Sequence, residues 1–162
     1  MRKFFVCLGL LLFFANASNA QYLEKSLGLR FGGGIGYGAA ISYQTPLGGN
    51  RMEFDLGWGG NSNWSHWGLT GVYQWLFPIE SGFQWYVGAG AIVGGWNEKV
   101  KYLDHSDGGM YLGAALNGGI EYFFSEIPIQ LALDLRPELG LINNYSNGGL
   151  NIGLAVRYRF GK

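Results

Sequence analysis

His105-Ser106-Asp107 sets a base, a hydroxyl nucleophile and an acid side by side, and Ser65-His66 repeats the first two. Hydrolytic triads are built from side chains that converge in space, and three consecutive residues of a polar stretch do not aim at one another. Glu53 and Asp55 raise a second chemistry: two residues apart on an extended chain they share a face, as paired acid–base carboxylates do. The histidines at 66 and 105 have no third ligand at metal spacing, so no metal is expected. Gly32-Gly33-Gly34-Ile35-Gly36-Tyr37-Gly38 misses the G-x-G-x-x-G spacing and precedes no helix, which argues against a dinucleotide cofactor. Asn63-Trp64-Ser65 and Asn144-Tyr145-Ser146 indicate exposed loops. These motifs assign no catalytic, cofactor or metal residue, so the reading turns on the elements that hold Glu53, Asp55 and the arginines around them.

The last segment shows the kind of element involved. Leu150, Ile152, Leu154, Val156, Tyr158 and Phe160 alternate with Asn151, Gly153, Ala155, Arg157 and Arg159. Successive side chains of a strand point to opposite sides, so this segment has one apolar face and one polar or small face. Comparable segments are expected at about 26–33, 36–45, 51–59, 67–76, 82–93, 110–124, 129–141 and 149–160. Short connections fall at Pro46-Leu47-Gly48-Gly49, Phe77-Pro78-Ile79-Glu80-Ser81 and Ser125-Glu126-Ile127-Pro128. A fourth tight turn is read near Gly33–Gly36. Longer polar stretches run from Gly60 to His66, Gly94 to Gly109 and Asn143 to Gly148.

Residues 1–20 are set apart as an export signal. Arg2 and Lys3 precede the apolar run Phe4–Phe14, and Ser18 and Ala20 supply the small residues of a cleavage site before Gln21. The run is too short to span a membrane as a helix, which takes about 20 residues. Cys7, the only cysteine, goes with it, leaving no disulfide or thiolate chemistry in residues 21–162. Nine basic residues then face eleven acidic ones, a balance that offers no footprint for nucleic acid. Charged residues are only 14% of the chain, below the roughly 25% of soluble domains. With no long apolar helix available, a membrane-embedded chain of this kind has to close into a barrel, since closure satisfies every backbone group in lipid.

One face of these strands carries Leu27, Leu29 and Phe31, Phe54, Leu56 and Trp58, and Leu131, Leu133 and Leu135, with no charge. The other holds Arg30, Arg51, Arg136, Arg157 and Arg159 with Glu53, Asp55, Glu121, Asp134 and Glu138. Every cation of the expected strands is arginine, whereas Lys25, Lys99, Lys101 and Lys162 are expected at termini or in a loop. The planar guanidinium fork suits crowded ion pairs and lysine prefers water, so the charged face is expected inside. Buried charges must be paired, and this tally balances. The expectation is therefore a structural network, centred on Arg30, Arg51, Arg157 and Arg159 with Glu53, Asp55, Glu121 and Asp134, that plugs the lumen. Aromatic residues collect beside the short turns, and Trp58, Trp67 and Trp96 beside the long loops, as two interface belts do. A secreted lipocalin-like barrel is the soluble rival. Its apolar side chains would overfill the lumen and its Gly/Ala-rich exterior would be poorly soluble.

These residues resemble the small eight-stranded outer-membrane proteins of Gram-negative bacteria, the OmpA/OmpX-type barrels, across nearly all of residues 21–162. The resemblance implies an all-β, eight-stranded antiparallel up-and-down barrel, outer-membrane lipid as surroundings and the barrel-assembly machinery as a partner. The ending Val156-Arg157-Tyr158-Arg159-Phe160 is similar to the aromatic assembly signal of that family, with Tyr158 and Phe160 as the matching residues and Gly161-Lys162 following them. Leu133-Asp134-Leu135-Arg136-Pro137-Glu138 is similar to a stretch found in small outer-membrane proteins, and Pro137 predicts a bulge or local distortion. A non-enzymatic envelope or surface-interaction role is expected, with Trp96 and Tyr102 as outer-loop contacts to an extracellular ligand. Two alternatives stay open: a lipid-modifying enzyme, lipid A deacylase-like, using an outward His/Ser pair such as Ser65-His66, whose spacing does not match that motif, and a narrow pore for small solutes.

Overall fold

Alternation of apolar with small or polar residues carries the chain into strands, and eight of them close on themselves. The computed structural model describes residues 23–33, 38–62, 64–100, 105–142 and 149–160. Its strands are β1 (Lys25–Gly33), β2 (Ala39–Leu47), β3 (Asn50–Gly60), β4 (Trp64–Pro78), β5 (Phe83–Val100), β6 (His105–Phe123), β7 (Ile129–Ile142) and β8 (Gly149–Phe160). Each pairs antiparallel with its neighbours in sequence, and β1 pairs with β8 to complete the wall. Followed once round the pairings, the register climbs by about ten residues, and such a stagger goes with strands inclined roughly 35–45° to the barrel axis. Eight inclined strands leave an interior just wide enough for side chains to fill. Residues 1–20, read as an export signal, and Tyr102 lie outside the described residues.

The short connections sit at one end, together with the start of β1 and the end of β8. Gly48 and Gly49 form a two-residue hairpin between Leu47 and Asn50, both with positive φ (61° and 81°), which glycine adopts without a Cβ clash. The opposite end is uneven, because β5 and β6 reach farther than the others.

That reach corrects one expectation. Residues 94–109, read as the longest loop, are mostly paired strand: Trp96 meets Gly109, Glu98 meets Asp107 and Val100 meets His105. Trp64, Ser65 and His66 belong to β4 in the same way. An antiparallel ladder continues through polar sequence once its register is set, so the loss of alternation did not mark the strand ends. Trp96 is thus a strand residue. Its position has the parity of buried Ile92 and Gly94, which puts it on the lumen side rather than in the lipid-facing belt.

Pro137 distorts its surroundings as its missing N–H requires, although the register slips elsewhere. The β6–β7 ladder skips the positions opposite Leu116 and Asn117 and resumes unchanged at Ala115–Glu138. The bulge itself lies between Leu112 and Gly113, which pair with Ile142 and Gly140 and leave Leu141 as the extra residue.

The wall is inside out relative to a soluble protein. Leu133, Leu154, Leu29, Phe31 and Trp75 are exposed on its exterior, whereas Arg136, Arg157, Glu53 and Glu121 are among the most deeply buried side chains. No lipid-facing strand position between the two rims carries a charge among the described residues.

Candidate functional site

The interior is built from positions two apart on successive strands. Arg51, Glu53 and Asp55 come from β3, Asp134, Arg136 and Glu138 from β7, and Arg157 and Arg159 from β8, all buried. Arg30 of β1 makes a bidentate contact with Asp134, Nε donating to Oδ2 at 3.0 Å and Nη2 donating to Oδ1, and a further bond to Asn151 Oδ1 at 3.2 Å. Arg51 reaches across the lumen to Glu121, with Nη1 2.7 Å from Oε1 and Nη2 2.8 Å from Oε2, while its Nε donates to Gln74. Glu53 holds two cations: Arg136 Nη2 at 2.7 Å from Oε1 and Arg157 Nη2 at 3.0 Å from Oε2. Arg136 also brings Nη1 to 2.6 Å from Asp55 Oδ2, as a charge contact. Arginine forks of this kind tie together strands that are far apart round the wall.

Two members of the expected network sit apart from it. Arg159 lies at the short-turn end, donating to the Phe124 carbonyl at 2.9 Å and pairing with Glu24 at 3.5 Å, a partner outside the strands. Glu138 is buried, and no cation lies within 4.0 Å of its carboxylate among the described residues. Arg136 takes the central place instead, bridging Glu53 and Asp55. Glu53 and Asp55 are therefore held by guanidinium groups and are not a free acid–base pair.

Glutamines complete the interior, and counting charges overlooked them. Gln44 and Gln74 donate to Glu53 Oε2, at 2.6 and 3.2 Å, and Gln84 and Gln130 donate to Glu121. Each occupies an inward position of its strand, so parity alone singled them out: in a barrel lumen a neutral amide can bridge a carboxylate to its next neighbour. Tyr86 is buried beneath Arg51, whose guanidinium carbon is 5.1 Å from the ring centroid. Gly153 makes room for Arg30: a Cβ built there would overlap the guanidinium.

At the far rim, Ser65 points outward and His66 inward, so the pair shares no face of the wall. The His66 ring stacks on Trp64 with centroids 4.9 Å apart. The described residues hold no group of three His, Cys, Asp or Glu side chains placed to bind a metal ion. Near the short turns, aromatic contacts ring the exterior: Phe77 stacks on Trp85 at 4.3 Å, Phe83 contacts Tyr122 at 4.6 Å, and Tyr158 meets Phe160 edge-on at 5.2 Å. Trp58 and Trp67, paired across β3 and β4, are exposed at the other end.

A closed eight-stranded barrel with an uncharged apolar exterior and a charged interior is the fold of the small outer-membrane barrels. Solved structures share it. Neisserial surface protein A is superimposable with a TM-score of 0.62 at 15% identity, over 84% of this chain and 96% of that one. The N-terminal β-barrel domain of Pseudomonas aeruginosa OprF gives 0.58 at 20% identity, over 85% and 98%. Ail, the attachment invasion locus protein of Yersinia pestis, gives 0.58 at 15% identity, over 85% and 97%. No protein-family model and no curated protein sequence matches the chain.

Proposed function

We propose that this chain is a non-conducting, non-enzymatic barrel of the Gram-negative outer membrane, exported by residues 1–20, that acts through contacts at its outer rim. The observation that carries the reading is the set of ion pairs spanning the lumen: Arg30–Asp134, Arg51–Glu121, Arg157–Glu53 and Arg136 shared by Glu53 and Asp55. These pairs, with the amides of Gln44, Gln74, Gln84 and Gln130, occupy the cross-section a solute would need. Outside, the apolar strips meet outer-membrane lipid, and Tyr158 and Phe160 serve the barrel-assembly machinery during insertion. The division of Ser65 and His66 between the two faces works against a lipid-modifying pair on the wall. The long β4–β5–β6 rim, with Trp96 on its lumen side, is the surface offered to an extracellular ligand.

The test is electrical. Purified barrel reconstituted in planar bilayers should show no steady conductance above the lipid background at neutral pH. A stable, ion-conducting channel in most insertions would refute the occluded lumen and favour the narrow pore.

A further inference from the structure

On the outer rim, β4, β5 and β6 each contribute three consecutive residues, 65–67, 95–97 and 108–110, to a cavity of about 560 Å³. That volume falls among small-ligand sites, roughly 300–1,000 Å³. In each triplet the end residues point out of the barrel and the middle one points in, and the exposed lining side chains, Ser65, Trp67, Asn97 and Met110, all belong to the outward set. Its open floor is Gly108, exposed and with no side chain to fill it, whereas Gly95 is buried. The Trp67 indole leans over Gly95, where an added Cβ would lie 2.9 Å from Nε1, and Met110, 60% exposed, forms the opposite wall. Ser65 and Asn97 stand exposed at its upper edge.

The position of the groove identifies what enters it. Two residues down each strand, Trp67 leads to Leu69, Gly95 to Val93 and Met110 to Leu112, so the groove is the upward continuation of the lipid-facing stripe. Trp67 pairs with Trp58, which sets the groove at the depth of the outer aromatic belt. Below it the outward side chains are apolar as far as the tyrosines near the short turns, and at its upper edge they are a hydroxyl and an amide. We propose that this groove is a binding site for one acyl chain of an outer-leaflet lipid. The chain lies against Trp67 and Met110 over Gly108, and the ester or sugar portion hydrogen-bonds to Ser65 and Asn97. Indole and thioether surfaces suit this, since both are broad, polarisable and apolar. The proposal rests on the membrane orientation of the wall and not on the occluded lumen.

Beyond Met1 the chain has two methionines, Met52 and Met110, and both sit on the outer face. Met52 belongs to the other end of the wall, near the short turns, and reports ordinary annular lipid. The mature barrel, labelled with 13C-methyl methionine and held in nanodiscs, is titrated with a lysophosphatidylcholine carrying a nitroxide on its acyl chain. The expected result is saturable broadening of the Met110 methyl at a probe fraction roughly tenfold below that which broadens Met52 equally. Ser65→Trp, which fills the groove from an exposed position, should reduce Met110 to the behaviour of Met52 and leave Met52 unchanged. Trp67→Ala, which removes a wall without touching the rim, should weaken saturation in the same direction. Parallel, non-saturating broadening of both methyls overturns the site and leaves annular contact only. Broadening of neither methyl would overturn the membrane orientation and the groove with it.

Discussion

Replacing Glu53 with glutamine removes the one carboxylate that, among the described residues, serves two arginines. In the structure its oxygens lie 2.7 Å from Arg136 and 3.0 Å from Arg157, and both amides, Gln44 and Gln74, donate to it. At an effective dielectric of about 20 each ionic contact near 3 Å is worth roughly 5–6 kcal/mol before desolvation. Arg136 keeps Asp55 at 2.6 Å, whereas Arg157 keeps, among the described residues, no carboxylate within 4.0 Å and one hydrogen bond, its Nε donating to the Ser42 hydroxyl at 2.9 Å. The change therefore strands one fully buried guanidinium, and such a loss costs about 3–5 kcal/mol. Glu53→Gln should lower the unfolding free energy by that amount, read from urea titrations of the refolded barrel in lipid vesicles and from an earlier heat-induced shift of its gel band. Arg157→Met tests the assignment. Combined with Glu53→Gln it removes the stranded charge, so the double variant should lose less than the two single losses added together, by about 2 kcal/mol. A Glu53→Gln barrel within about 0.5 kcal/mol of the parent would refute the claim that these charges are dry and mutually dependent.

Leu133→Arg places a cation on the lipid-facing side of β7 and should cost about 2–4 kcal/mol in vesicle refolding; a neutral result would mean the exterior faces water. Gly153→Ala drives a methyl into the Arg30 guanidinium and should cost about 1–3 kcal/mol, and Arg30→Met in the same chain should recover part of it. Phe160→Ala loses the edge contact with Tyr158, about 0.5–1.5 kcal/mol, so refolding in detergent should change little, while assembly in cells should slow measurably in pulse-chase. An effect on detergent refolding as large as that on cellular assembly would assign Phe160 to packing alone.

The fold was legible because a membrane imposes the simplest of patterns. Leu150–Phe160 alternates without interruption since each outward residue meets hydrocarbon and each inward one meets the lumen, and the same demand acts on all eight strands. Where the demand lapses, so did the reading. Toward the outer rim the residues of β5 and β6 are mostly polar or glycine, alternation fades, and residues 94–109 looked like loop although the described backbone, 94–100 and 105–109, is paired. The bulge beside Leu141 had no local mark, whereas Pro137 drew attention because its missing N–H is visible in its chemistry.

What the sequence determined by itself is composition by face: which side chains go in, which go out, and that five arginines and five carboxylates share the inside. Parity sets these, and parity is a local property of an extended chain. Who meets whom was decided only by tertiary structure. Arg51 reaches Glu121 seventy positions away, and Arg30 reaches Asp134 over 104. Arg159 turns aside to Glu24, and the groove beside Trp67 needs three strands in one register. These depend on how far the register climbs as the wall closes, a sum over eight pairings that no single segment encodes.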